Sequence, residues 1–191
     1  MAHLSILGTG NMGQAIAGKA TNGGHTVQLL GSNDRDTAVS GDVVVLAVPY
    51  SAVEEVISQR SEQLAGRIVV DITNPLNFDT FDSLVVPADS SAAAEIAAAL
   101  PNSQVLKAFN TTFAATVAAG SVGTAPTTVL IAGDDADAKS TLADIVVSGG
   151  LRAVDAGGLS RARELEALGF LQLTLAVSGK VPWTGGFGLL A

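Results

Sequence analysis

The sequence contains no cysteine and only two histidines, His3 and His25. That excludes disulfides, thiolate metal sites, iron–sulfur clusters and cysteine nucleophiles together, and it leaves any metal site dependent on carboxylates. Basic residues are also few. Ten Lys and Arg stand against 18 Asp and Glu, for a net charge of −8. A surface this acidic repels phosphate backbones, so nucleic acid is not an expected partner. No run of about 18 apolar residues occurs, so no membrane span is expected. The opening Met1-Ala2-His3-Leu4 lacks the basic flank of a secretory leader, and the expectation is a cytoplasmic protein. What the chain has in plenty is glycine, 21 in 191 residues, within a composition that is 48% apolar. That suffices for a real core, and the length fits one domain, 1–191, with a helical extension from about residue 160.

Short apolar runs alternate with helical patterns. Strands are predicted at Leu4–Leu7, Thr26–Leu30, Val43–Val48, Ile68–Ile72, Val105–Phe109, Thr128–Ala132 and near Leu151–Val154. Helices are predicted at about Met12–Ala20, Ala52–Leu64, Ser91–Leu100, from near Asp134, and at Arg161–Val177. Val43–Val48 is apolar throughout, as a strand covered on both faces should be. The alternation implies an α/β, Rossmann-type doubly wound fold with a mostly parallel sheet. One irregularity stands out. Only nine residues, Asn33–Gly41, join strands two and three, where a crossover needs a dozen or more. The second helix must be missing or reduced to a turn, leaving the adenine side open.

Gly8-Thr9-Gly10-Asn11-Met12-Gly13 lies between the first strand and the first helix. In that context the glycines have separate tasks: Gly8 for the tight turn, Gly10 for close approach of a pyrophosphate, and Gly13 for helix–strand packing. The helix N-terminus then offers free N–H groups and the positive end of its dipole. An NAD site usually places an acid at the end of strand two. Here the residues are Gly31-Ser32-Asn33-Asp34-Arg35. Ser32 and Asn33 are small donors and Arg35 suits a 2′-phosphate, so NADP is preferred to NAD, with Asp34 as the counter-argument.

The carboxyl ends of the other strands carry Val48-Pro49-Tyr50, Asn74-Pro75 and Asn110-Thr111. Asn74 and Asn110 suit the nicotinamide end, although Asn is also common where strands end. Acid–base groups are scarce: Asp71 reads as a structural carboxylate, Lys107 as reaching the rim, and both histidines as away from the chemistry. Hydride transfer, in which protein supplies position and electrostatics, fits that scarcity. Little chain remains after strand five, so the acceptor is expected to be flat and stacked on the nicotinamide, or enclosed by a second subunit. Phe78 and Phe81, in the loop Asn77–Asp89, are expected on the acceptor side. Trp183, Phe187 and the last helix suggest a homodimer interface, with folding back on the same chain as the alternative.

Beyond the glycine loop, the chain resembles the coenzyme F-420 (deazaflavin)-dependent NADP reductases, including the NADPH–flavin domain of the STEAP-type metalloreductases. The resemblance rests on Gly31-Ser32, Val48-Pro49, Ser91–Ile96, Lys107-Ala108-Phe109-Asn110-Thr111, Ala132–Asp135 and, most specifically, Asp155-Ala156-Gly157-Gly158-Leu159-Ser160 with Ala162-Arg163 and Leu165-Glu166. It implies NADP held at Thr9–Met12, at Ser32 and its neighbours, and at Val48-Pro49-Tyr50, with the loops of Asn74-Pro75 and Asn110-Thr111 flanking the nicotinamide. Two departures are visible. Asn110 replaces the His of the deazaflavin enzymes, as in the STEAP-type domain, which favours a flavin or another acceptor over a deazaflavin. Asn33 replaces the usual Arg, which weakens the case for NADP. The implied activity is hydride transfer from NADPH to a flavin, a deazaflavin or another small-molecule acceptor. Alternatives of other classes are a non-catalytic NADP sensor and an imine or keto-acid reductase similar to pyrroline-carboxylate reductases.

Overall fold

Residues 1–190 are described by a computed structural model. Within them, nine strands and six helices follow in the order β1 His3–Leu7, α1 Asn11–Asn22, β2 Thr26–Leu30, β3 Val43–Leu46, α2 Val53–Leu64, β4 Ile68–Asp71, α3 Ala92–Ala99, β5 Gln104–Lys107, α4 Ala114–Ala119, β6 Ser121–Val122, β7 Ala125–Pro126, β8 Thr128–Gly133, α5 Ala136–Ser148, β9 Arg152–Gly157 and α6 Ala162–Val177. Seven strands form one sheet in the order β2-β1-β3-β4-β5-β8-β9, and β6 and β7 form a separate two-stranded ribbon.

Alternate residues of the central strands feed two cores. Leu4, Ile6, Val43, Val45, Val70 and Leu106 pack on the side of α1, α4 and α5 through Ile16, Val117 and Leu142. Leu7, Val44, Leu46, Val69 and Val105 pack on the other side, with Val53 and Leu64 of α2 and Ile96 of α3. Val43–Leu46 are fully buried, which explains their unbroken apolar character. This is the doubly wound α/β, Rossmann-type arrangement expected, and the order reverses between β1 and β3, opening a crevice at their carboxyl ends.

Two features depart from the strand-by-strand expectation. β8 runs antiparallel to β5, pairing Leu106 with Gly133 and Lys107 with Ala132. The segment between them also contains α4 and the β6–β7 ribbon, short elements that carry no long periodic signal. α4 packs on α1 and so backs the glycine-loop helix. No helix among the described residues is long and apolar enough to cross a membrane.

The crossover from β2 to β3 contains no helix. Two arginines hold it instead. Arg60 of α2 donates to the carbonyls of Thr37 (2.8 Å), Asp34 (2.6 Å) and Arg35 (3.1 Å). Arg67 donates to the carbonyls of Gly41, Val39 (3.2 Å) and Gln63 (2.7 Å).

Candidate functional site

The β1–α1 turn is built by glycine. Gly8 has φ +121°, and a Cβ there would collide with the Ala47 carbonyl. A Cβ at Gly13 would collide with the Gly8 carbonyl, so α1 can sit on the turn only if that position has no side chain. Gly10 faces open space, with nothing within 4 Å of a Cβ built on it. The first helical N–H with an internal acceptor is that of Gln14, on Gly10 O at 2.9 Å, so the N–H groups of Asn11, Met12 and Gly13 lack helical partners. No side chain caps this end and no acid lies in its first turn. By contrast, α3 and α5 are capped by Ser91 and Asp135. An uncapped positive helix end beside an open glycine is a place for a diphosphate, and the residues fit a dinucleotide.

A pocket of about 150 Å³ opens on one side of this turn, with Leu7, Gly8 and Leu30 beneath it and Ser32, Arg35, Glu55 and Arg60 along its wall. Ser32 and Asn33 are exposed. Asp34, the one acid of this turn placed to act on a ribose, points its carboxylate onto the Gly31 N–H at 2.7 Å. Arg35 is exposed, ion-paired with Glu55 at 3.0 Å.

On the other side lies a cleft of about 490 Å³. Asn11, Met12, Val48, Pro49 and Tyr50 form its near wall, Thr73, Asn74 and Phe78 its floor and lip, and Phe113, Leu173 and Trp183 its far wall. The structure therefore brings Met12, Tyr50 and Asn74 together. Pro75, Asn110 and Thr111 are buried and do not line the cleft. Asn110 acts from behind: its amide N–H groups reach Asn74 Oδ1 (3.0 Å) and the Leu165 carbonyl (2.8 Å), while Asn74 Nδ2 donates to the Asn110 carbonyl (3.0 Å). The pair locks the ends of β4 and β5 to α6. Gly169 makes the approach possible, because a Cβ there would collide with Asn74 Oδ1. Phe109, just before Asn110, has φ +62°, a strained conformation for a bulky residue and one that sets the turn. Among the described residues, two buried side-chain atoms are left without partners, Thr73 Oγ1 and Asn110 Oδ1, both at this end of the site.

Beneath the cleft lies a buried charge cluster. Lys107 is fully buried, not at the rim as its place near the strand end suggested. Its ammonium donates to Asp71 (2.7 Å), Glu166 (2.8 Å) and the Thr73 carbonyl (2.6 Å), which uses all three of its N–H bonds. Glu166 also accepts from the N–H groups of Ala92 (2.9 Å) and Ala93 (3.2 Å) at the start of α3. Burial pushes the Glu166 carboxyl above its ordinary value, against the opposing pull of Lys107 and the Ala92 amide. Tyr50 donates its hydroxyl to Glu95, and burial together with that carboxylate raises its pKa, so it stays a neutral phenol. His25 joins the Ala2 amide to Ser148, and His3 meets Ser40, both at the opposite edge of the sheet. No group of three or more metal-binding side chains occurs among the described residues.

The C-terminal tail folds back on its own chain. Trp183 packs on Phe113 with ring centroids 5.0 Å apart, and the Phe187 N–H donates to Gln172. This is the alternative to the interface role expected for these aromatics. Phe78 reaches the cleft; Phe81 instead stacks edge-on against it at 5.6 Å. Sequence reasoning assigns no individual role to Glu166, Gly169, Arg60 or Thr73. For Gly169 a signal exists, an isolated glycine inside the apolar last helix. The roles of the others depend on distant partners.

A family model for coenzyme F420-dependent NADP oxidoreductase matches residues 27–75. The chain is 33% identical over 166 residues to an F420-dependent NADP reductase of Methanocaldococcus jannaschii, covering 85% of this chain and 74% of that protein. It is 29% identical to the metalloreductase STEAP3 of Rattus norvegicus, covering 97% of this chain but 39% of that protein. A crystal structure of a putative F420-dependent NADP reductase from an Arthrobacter species superposes with a TM-score of 0.87 over the full length of both chains, at 25% identity.

Proposed function

Since the chain belongs to the family of F420-dependent NADP reductases and is thus an NADP-dependent oxidoreductase, we propose that it moves a hydride between NADP(H) and a flat acceptor, a deazaflavin or flavin, in the cleft beside the glycine loop. The observation that carries this reading is that one helix end, α1, serves both cavities. The adenosine pocket opens beside Gly8, and the larger cleft opens beside Asn11 and Met12. A dinucleotide diphosphate on the amides of Asn11–Gly13 spans the two.

When bound, the dinucleotide supplies a hydride from its reduced nicotinamide. This chain's own residues bind and orient. Thr9, Gly10, Asn11 and Met12 surround the diphosphate, and Ser32, Asn33 and Arg35 face the 2′-phosphate end. Val48, Pro49 and Tyr50, which line the cleft, would form a wall for the ring. Asn74 is held in one orientation by Asn110 and would meet the carboxamide. Tyr50, held neutral, donates no charge and takes no proton, which suits a transfer that needs no protein base. Phe78 and Trp183 limit water at the outer face of the cleft. The last helix, which exposes Leu171 and Val177, would contact a second copy of the chain, which light scattering would detect.

The test is anaerobic. Protein and NADPH are mixed in turn with deazaflavin, FMN, FAD and a cyclic imine, and loss of reduced-nicotinamide absorbance is followed. Turnover with deazaflavin or flavin is the expected result. Turnover with the imine alone would assign a different acceptor class. Tight nucleotide binding without turnover would make the protein a sensor.

A further inference from the structure

The turn after β2 lacks the arginine that would hold a 2′-phosphate directly after Gly31-Ser32; the residue there is the uncharged Asn33. The cation expected instead, Arg35, is exposed and already paired with Glu55. A different guanidinium lies at the same pocket. Arg60, on α2, is 6% exposed. Among the described residues, no carboxylate lies within salt-bridge distance of it, and its hydrogen bonds go to the carbonyls of Asp34, Arg35 and Thr37. Those bonds use three of its five N–H groups, leaving Nε–H and one Nη1–H uncommitted. A buried charge is normally matched by an opposite one. Here that match is absent, at a residue lining the pocket between Gly31, Ser32 and Arg35. The remaining charged groups at this pocket are accounted for: Glu55 by Arg35, and the Asp34 carboxylate by the Gly31 N–H.

Resting on the dinucleotide reading above, we propose that Arg60 is the residue that selects the phosphorylated dinucleotide in this chain. It acts in two ways. It fixes the path of 34–37, so that Asp34 stays turned onto Gly31 and away from a ribose hydroxyl. It also supplies, at the wall of the pocket, the positive charge that Asn33 does not, while its fork is spent on the carbonyls of the crossover. The selecting cation thus comes from the element after the crossover instead of from the crossover itself. Its role is in binding, and no chemical step passes through it.

The test is calorimetric titration of the intact protein with NADP⁺ and NAD⁺ separately, for wild type, Arg60→Gln, Arg60→Lys and, as the exposed control, Arg35→Gln. The expected result is that Arg60→Gln lowers the NADP⁺-over-NAD⁺ affinity ratio about tenfold or more, the scale of a charge-assisted contact, with NAD⁺ affinity little changed. Arg35→Gln should change the ratio by less, because its charge is solvent-screened. Arg60→Lys retains charge but not the fork, and should lower the ratio several-fold. If Arg60→Gln does not fold, the lysine variant decides. An unchanged ratio in the variants, or equal loss of both nucleotides, overturns the proposal while leaving the dinucleotide reading intact. Failure of the wild type to bind either nucleotide overturns both.

Discussion

The two ends of the crevice are held together by opposite means. At the end beside β2 the chain is thin and exposed, and main-chain carbonyls do the holding: Arg60 and Arg67 grip a crossover with no helix of its own. At the end beside β4 and β5 the support is buried and ionic. Lys107 binds Asp71 and Glu166, and the last of these caps α3. The first arrangement tolerates changes of side chain, because carbonyls are common to all residues. The second does not, because each member leaves a buried charge or donor exposed to the apolar interior when another is removed. On the reading proposed above, the crossover and the arginine that holds it would set cofactor preference where the fold is permissive, and ring positioning would sit where it is strict.

The sharpest way to break this contrast is to remove Lys107. Lys107→Met leaves two buried carboxylates without their cation and should cost about 3–5 kcal/mol, read as a lower urea midpoint. Replacing all three charged residues by apolar ones should cost less than the single change, which isolates the uncompensated charge as the cause.

The glycine loop separates stability from binding within one motif. Gly13→Ala forces a Cβ into the Gly8 carbonyl and should destabilise by about 1–3 kcal/mol. Gly10→Ala meets nothing in the fold. It should leave the melting temperature nearly unchanged while sharply lowering nucleotide affinity, because the added methyl occupies the diphosphate's approach. Equal effects of the two changes on melting would remove the distinction.

Glu166 adds a pH dependence. Its carboxyl titrates above the ordinary 4.5 in the folded chain, so its stabilising contribution is full below that value and is lost as pH rises through the raised one. Wild type should therefore lose stability relative to Glu166→Gln across that window, by about 1.4 kcal/mol for every tenfold weakening of this acid on folding. Unfolding free energies of both proteins at a series of pH values give the comparison. A wild type that gained on the glutamine variant as pH rose would contradict the direction.

The smallest expected effect is at the tail. Trp183→Ala should cost about 0.5–1.5 kcal/mol for the lost ring pair with Phe113. It should raise KM for the acceptor while leaving NADPH affinity unchanged, in steady-state kinetics with each substrate varied.

The part of this site that is legible in the sequence is the part encoded locally. Gly8, Gly10 and Gly13 lie within one turn, and the apolar strand and helix around them fix their context. The missing second helix follows from counting the nine residues Asn33–Gly41. The ionic cluster could not be read this way. Its partners lie 36 residues apart for Asp71 and Lys107, and 74 for Ala92 and Glu166. Nothing in the pattern around Lys107 distinguishes a buried ammonium from one at a rim. The antiparallel direction of β8 was equally hidden, because alternation of side chains is the same in either direction. α4, only Ala114–Ala119, is too short for periodicity to show.

The fork on α2 grips oxygens that every amino acid possesses. Residues 32–38 can therefore be rewritten without loosening the loop's path, provided no proline or bulky branching forbids it. The edge of the sheet is in effect a socket: the strand ends supply the frame, an arginine supplies the clasp, and the insert between them is exchangeable. On the reading proposed above, redesign of nucleotide preference would start there, with the cleft beside Asn11 and Met12 left untouched.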